Sequence, residues 1–294
     1  MKKIKILDPN IKIKSKTVRD KIQLFEYNGI KLPLPTEIEI SESGTCNRTC
    51  SFCPRSATDF VDKKEFITNE LHEKLCIELQ KLNYKGTIRY SGFVEPMLDK
   101  NIYNLISMVK NFIPDCNVEM VTNGDPLNLN RLNKLFISGL NRILISAYDS
   151  KEASDKLEDL CKEAQLSSDQ YIVRHRYYSE EQGFGITLSN RAGLMENAEF
   201  KIESLKEPLK SPCYIPSYTF FLDYQGDVLM CPHDWGKKLI LGNLNKENLL
   251  DIWFSKNSMR IRKMLNNSNR NFSPCNVCDV TGTFIGEKNS GYFN

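Results

Sequence analysis

The sequence predicts an α/β protein, a partial (βα)6 barrel followed by a small C-terminal α+β module built to hold a metal or cluster. Three observations carry this. Strand-like and helix-like stretches alternate with a repeat of about 28 residues from residue 36 onward, which implies a parallel sheet with helices outside it. Polar clusters fall where the strands end, the rim on which such barrels place their chemistry. Seven of the ten cysteines are grouped, three as Cys46, Cys50 and Cys53 and four after residue 208.

Residues 1–35 read as an extension of one or two strands. Lysine and isoleucine alternate there as in an exposed, lysine-guarded edge strand, and Pro33 and Pro35 close it. Glu37 to Ile40 alternates as a strand running into the cysteine triad, and Thr68 to Leu82 follows with helical spacing at Leu71, Leu75, Leu79 and Leu82. His72 falls on the polar side of that helix, a structural position. Thr87 to Tyr90 with Asn101 to Phe112 makes a second unit, and Asn117 to Thr122 with Asn128 to Ile137, stopped by Gly139, a third. Arg142 to Ala147 with Lys151 to Gln165 is a fourth. Tyr171 to Arg176 and Gly185 to Leu188 are strands five and six. The rhythm breaks at Glu207 to Pro212, so we divide the chain into an extension (1–35), a barrel (36–207) and a C-terminal module (208–294). In that module Tyr218 to Leu222 and Val228 to Cys231 form a hairpin about Gly226. A helix runs from Glu247 to Leu265, and the Gly-rich tail needs no ordered structure.

Apolar residues make up 40% of the chain and no run approaches 18 residues, which excludes a transmembrane helix. The N-terminal lysines lack the apolar core of a signal peptide, so a cytoplasmic chain is expected. Net charge is only +3 and no aromatic residues interleave the basic ones, which argues against a nucleic-acid partner. In a reducing compartment grouped cysteines signal ligation rather than disulfides. A lone triad of thiolates suits a cubane cluster with one open iron, or half of a zinc site. Cys213, Cys231, Cys275 and Cys278 form a closed set that fits either a cluster or structural zinc.

The segments CNRTCSFC after strand one and SGFVEP after strand two resemble the radical S-adenosylmethionine superfamily. The resemblance implies that Cys46, Cys50 and Cys53 hold a [4Fe-4S] cluster whose open iron binds S-adenosyl-L-methionine and cleaves it to a 5′-deoxyadenosyl radical. It assigns Phe52 to the adenine, Gly92 and Glu95 to the amino group, and Asn123, Ser146 and Ser189 to the remaining cofactor contacts. Val94 stands where many relatives have a second glycine. After residue 208, a Cys, a turn at Gly226, a second Cys, LGNLNKENLLDIW and a CxxC resemble the SPASM and related auxiliary-cluster domains. Four cysteines in place of seven imply one auxiliary [4Fe-4S] cluster, held by Cys213, Cys231, Cys275 and Cys278.

With the SNRAG segment, the layout over about residues 36–280 resembles the inosamine dehydrogenases of aminoglycoside biosynthesis. That implies oxidation of a secondary alcohol of a sugar, cyclitol or amino-sugar to a ketone, with an external one-electron reductant such as flavodoxin or ferredoxin. Arg191 would hold substrate oxygens, and His233 would take the hydroxyl proton, with Asp234 and Glu181 as rival bases. Arg174 and Arg176, on one face of strand five, suggest a phosphorylated or nucleotide-linked substrate. The alternatives are a radical epimerase of a sugar, aminoglycoside or peptide, which needs a spare thiol in the site, and a non-enzymatic zinc-stabilised binding module.

Overall fold

The computed structural model describes residues 9–57, 60–177, 188–196 and 202–293. The extension opens with a helix, α1 (Pro9–Asp20), not the expected edge strand. Proline at the first helical position favours that start. Two contacts on one helix face override the Lys-Ile alternation: Lys14 donates to Glu37 at 2.6 Å, and Val18 is buried against Ile215 and Tyr218. A hairpin follows, β1 (Leu24–Tyr27) and β2 (Ile30–Pro33), turned at Asn28 and Gly29 with left-handed φ of 51° and 79°.

The barrel strands form where the alternation places them. β3 (Glu37–Ser41) leads through a short antiparallel pair, β4 (Ser43–Gly44) and β5 (Lys63–Phe66), to α2 (Asn69–Lys81). Then come β6 (Thr87–Tyr90), α3 (Ile102–Phe112), β7 (Asn117–Thr122), α4 (Leu129–Ile137), β8 (Arg142–Ala147), α5 (Lys151–Glu163) and β9 (Tyr171–His175). Thr68, Asn128 and Ser150 each cap the following helix by accepting a backbone N–H three residues on. Each such cap contributes about 1 kcal/mol. The sixth expected strand, at 185–188, lies outside the described residues except for Leu188.

The C-terminal module contributes β10 (Thr219–Asp223), β11 (Asp227–Leu229) and β12 (Ile240–Asn243). β10 pairs in parallel with β3, so one eight-stranded sheet, ordered β12-β11-β10-β3-β6-β7-β8-β9, crosses the expected boundary near residue 208. The six strands from β10 to β9 are parallel, and β11 and β12 add antiparallel.

The long C-terminal helix expected from 247 to 265 is two helices, α6 (Leu249–Trp253) and α7 (Lys256–Asn266). Ser255 breaks it, accepting the N–H of Ser258 as a new cap. Buried Arg262 then reaches back to the Trp253 carbonyl at 2.6 Å and stacks over the indole, 3.6 Å from its centre. The tail is ordered, against expectation: α8 (Glu287–Ser290) leads to Phe293, which is buried and packs beside Arg262, its ring centre 4.7 Å from the guanidinium. Apolar cover for a buried guanidinium orders a segment whose composition alone does not.

Strand side chains alternate between the two faces of the sheet. Ile38, Ile40, Ile88, Tyr90, Val118 and Met120 pack outward into the main core with the helices. Glu37, Glu39, Arg89, Glu119 and Arg142 therefore face the barrel interior. Arg89 bridges Glu37 and Glu119 at 2.6 Å each, and Arg142 adds a second cation to Glu119 at 3.2 Å.

His72 is wholly buried in the outer core, not on a polar face, bonded to the Tyr90 hydroxyl at 2.8 Å. Burial lowers its pKa from 6.5 to about 4. Folding therefore expels a proton that the unfolded chain holds below pH 6.5, so stability is lost as the pH falls from about 6.5 towards 4. Between pH 7 and 5 this amounts to about 2 kcal/mol. Denaturant midpoints measured across that range should fall more steeply for the wild-type chain than for His72→Gln; parallel curves would refute the assignment.

Candidate active site at the strand ends

The loop after β3 carries Cys46, Cys50 and Cys53 as free, part-exposed thiols. Two arginines fix it. Arg48 ion-pairs with Asp125 and Asp149, in the loops after β7 and β8, and its guanidinium lies 5.6 Å from the centre of the Tyr148 ring. Tyr148 in turn lies 5.4 Å from Phe52, the aromatic expected beside an adenine. Arg55 is buried, ion-paired with Asp62 and bonded to the carbonyls of Gly44 and Phe93. Each follows a triad cysteine by two residues, the spacing that could have revealed them in the sequence. Burial, and next the neighbouring Cys53, push the Cys50 thiol up to about 11. Three partly desolvated thiols on one arginine-pinned loop suit a group whose metal charge stabilises them as thiolates.

The segment after β6 is drawn against this loop. Glu95 is buried, and its carboxylate accepts from Thr122 Oγ1 and the Asn123 N–H at 2.7 Å each and from the Met97 N–H at 3.0 Å. It thereby joins two strand ends, and burial raises its pKa against those bonds. Gly92 has φ of 95°, and a Cβ there would lie 2.9 Å from Phe221. Gly92 thus takes the left-handed turn itself, and Val94 keeps ordinary backbone in its place. Asn123 donates to Asn47 at 2.8 Å, within the triad loop. Ser146 accepts from Arg174 at 2.6 Å.

The second cysteine set lines a single cavity, with Cys213, Cys231, Cys275 and Cys278 arranged around it rather than converging on one ion position. Buried Arg270 frames it, donating to the carbonyls of residues 211, 212, 280 and 281 at 2.7 to 2.9 Å. Gly282 closes it: at φ of 72°, a Cβ would come within 2.4 Å of Cys213 Sγ. Burial first, then the neighbouring thiols, push Cys275 up to about 12 and Cys278 to about 11. Four thiols that resist ionising side by side in an apolar cavity fit a group bringing its own positive charge.

Residues 188–196 join the two sets. Arg191, Ala192 and Gly193 take left-handed φ of 46°, 54° and 81° in succession, a costly path for the first two. Asn190 holds it: its N–H donates to Asp279 at 2.9 Å, its side-chain amide to the Val277 carbonyl at 2.6 Å, and its Oδ1 accepts from Gly193 at 3.2 Å. Ala192 lines the four-thiol cavity, whereas the Arg191 guanidinium is in electrostatic reach of Cys53 in the triad. Among the described residues, Arg191 Nε is enclosed without a hydrogen-bond partner.

Ser189 faces His233 Nδ1 at 3.5 Å. Burial, and next the nearby Arg191, hold His233 neutral, with its pKa lowered to about 3. Its rival Asp234 is differently used, because both its oxygens accept backbone N–H groups, from Lys238 at 3.0 Å and Leu239 at 2.7 Å, and so shape the turn after Cys231. Glu181 lies outside the described residues. The remaining cysteines, Cys76, Cys116 and Cys161, are sealed in the outer core.

Two family models match the chain, the radical SAM superfamily over residues 40–197 and the SPASM iron-sulfur cluster-binding domain over residues 213–279. Among curated proteins the chain is 28% identical over 243 residues to the S-adenosyl-L-methionine-dependent 2-deoxy-scyllo-inosamine dehydrogenase of Niallia circulans. That match covers 82% of this chain and 92% of the relative. The crystal structure of BtrN in complex with AdoMet and 2-DOIA superposes with a TM-score of 0.71 at 26% identity, covering 86% of this chain and 96% of that one. The native anSMEcpe structure with bound AdoMet shares the fold at 12% identity and a TM-score of 0.52, over 87% of this chain and 95% of that one. The barrel, the two thiol sets and these matches agree: the chain belongs to the radical SAM superfamily, as an oxidoreductase that uses S-adenosyl-L-methionine and iron-sulfur clusters and carries a C-terminal SPASM domain.

Proposed function

We propose that the protein is a radical SAM dehydrogenase that oxidises a secondary alcohol of an aminocyclitol, cyclitol or amino-sugar to a ketone. One observation carries this reading: in the strained turn at residues 191–193, Ala192 lines the four-thiol cavity while Arg191 is in electrostatic reach of Cys53, its enclosed Nε without a hydrogen-bond partner among the described residues. A substrate held there adjoins both thiol sets, as an oxidation needs when one group removes a hydrogen atom and another accepts an electron. The inosamine dehydrogenase similarity points the same way.

Cys46, Cys50 and Cys53 would hold the cluster that binds S-adenosyl-L-methionine, and Cys213, Cys231, Cys275 and Cys278 the second one. Once bound, the cofactor supplies a hydrogen-abstracting radical and the second cluster an electron sink. The residues of the chain do the positioning. Glu95, Gly92, Asn123 and Phe52 shape the cofactor's place on the rim, with Ser146 and Ser189 as its more distant polar walls. Arg191 offers its planar donor fork to substrate oxygens, and His233 lies beside the same space. The buried state of Cys76, Cys116 and Cys161 disfavours epimerisation, which needs a thiol able to return a hydrogen atom to the substrate. We place the enzyme in the cytoplasm, reduced by a one-electron donor such as flavodoxin or ferredoxin, and assign it neither nucleic-acid nor membrane partners.

The anaerobically reconstituted chain should contain about eight irons, as two [4Fe-4S] clusters require; zinc without iron would end the cluster reading. Incubated with S-adenosyl-L-methionine and a panel of aminocyclitols and amino-sugars, it should release 5′-deoxyadenosine together with a product two hydrogens lighter than the substrate. A product of unchanged mass that has gained solvent deuterium would establish epimerisation instead. Arg191→Met should keep its iron and lose roughly 10- to 100-fold in kcat/KM, the cost of one charge-assisted substrate contact.

A further inference from the structure

The interior faces of β3 and β7 hold three carboxylates, and two are matched by cations. Glu37 takes Lys14 and Arg89, and Glu119 takes Arg89 and Arg142. Glu39 is the exception. It lies on the same interior face of β3, one alternation closer to the rim than Glu37. Its Oε1 accepts from Ser91 Oγ at 2.6 Å. Among the described residues Oε2 has no hydrogen-bond donor, and no cation lies within ion-pair distance of either oxygen. Arg191 is in electrostatic reach of Glu39 as well as of Cys53. Isolated charge in an enclosed interior is costly, and such a group persists where a ligand or a proton completes it.

We propose that Glu39 is the acceptor of the substrate's hydroxyl proton. The assignment rests on the dehydrogenase reading above and supplies the base which that reading leaves open. In the oxidation the carbinol carbon gives up a hydrogen atom to the cofactor-derived radical, and its oxygen gives up a proton to Glu39. The remaining electron would go to the cluster that Cys213, Cys231, Cys275 and Cys278 would hold. The C–H and O–H bonds break, the C=O bond closes, and Glu39 ends as the neutral acid.

The charges around Glu39 tune this role. Burial raises its pKa above the ordinary carboxylate value; Lys14 from α1 opposes this, Glu37 adds to it, and Ser91 and Arg89 from β6 lower it. Arg191 in the 188–196 segment and Tyr218, just before β10, are also in electrostatic reach of it. Glu39 must be ionised to act, so the rate should fall on the acid side, through a limb lying above the usual carboxylate range.

The test follows ketone and 5′-deoxyadenosine together as a function of pH, with the fully loaded enzyme. Glu39→Gln should keep its iron content and still cleave the cofactor when substrate is added, but form ketone roughly 100- to 10,000-fold more slowly, with the acid limb gone. Ser91→Ala, which removes the one hydrogen bond to the carboxylate, should move the limb to higher pH. If Glu39→Gln forms ketone at the wild-type rate with the limb intact, another group takes the proton and the proposal is overturned. If Glu39→Gln does not load its clusters, an unmoved limb in Ser91→Ala overturns it equally. Failure of the underlying reading looks different, because then the wild-type enzyme itself yields no product two hydrogens lighter.

Discussion

The parallel pairing of β10 with β3 is the constraint on which the rest of the structure depends. β3 delivers the cysteine triad at its C-terminal end, and the segments flanking β10 deliver Cys213 and Cys231. Five consecutive rungs, from Thr219 opposite Glu37 to Asp223 opposite Ser41, hold the two deliveries in register. A slip of one residue would turn Ile38 and Ile40 inward and the carboxylates into the apolar outer core. The spacing between the thiol sets is thus set by backbone hydrogen bonds, not by a flexible link.

Much of this was legible from periodicity. The four strand-helix units from Glu37 to Glu163 lie where the alternating and 3.6-residue patterns put them, because each strand buries one full face against helices and three of the four helices carry a side-chain cap. The grouping of seven cysteines was legible for a chemical reason, since clustered thiols have few uses in a reducing compartment. Two of the failures share a cause. The break at Ser255 is a local cap on Ser258, but α1 and the ordered tail are decided by contacts distant in sequence, Lys14 with Glu37 and Phe293 with Arg262. Local pattern cannot see these.

The site was legible in its ligands and less so in its supports. Arg48, Arg55 and Arg270 bind no expected ligand, and only the two-residue offset of the first two from a triad cysteine marks any of them in the sequence, yet they determine where the thiols stand. Glu39 was hidden because a carboxylate alternating with isoleucine reads as ordinary strand polarity. Only the absence of a cation beside it, on a face where its neighbours Glu37 and Glu119 have theirs, sets it apart.

Arg270 has a further consequence for the life of the protein in air. Its four bonds run to carbonyl oxygens and none to sulfur, so the frame around Cys213, Cys231, Cys275 and Cys278 is held whether or not the sulfurs are occupied. Oxidative loss of iron would then disable the chain while these four bonds still hold the walls around the thiols.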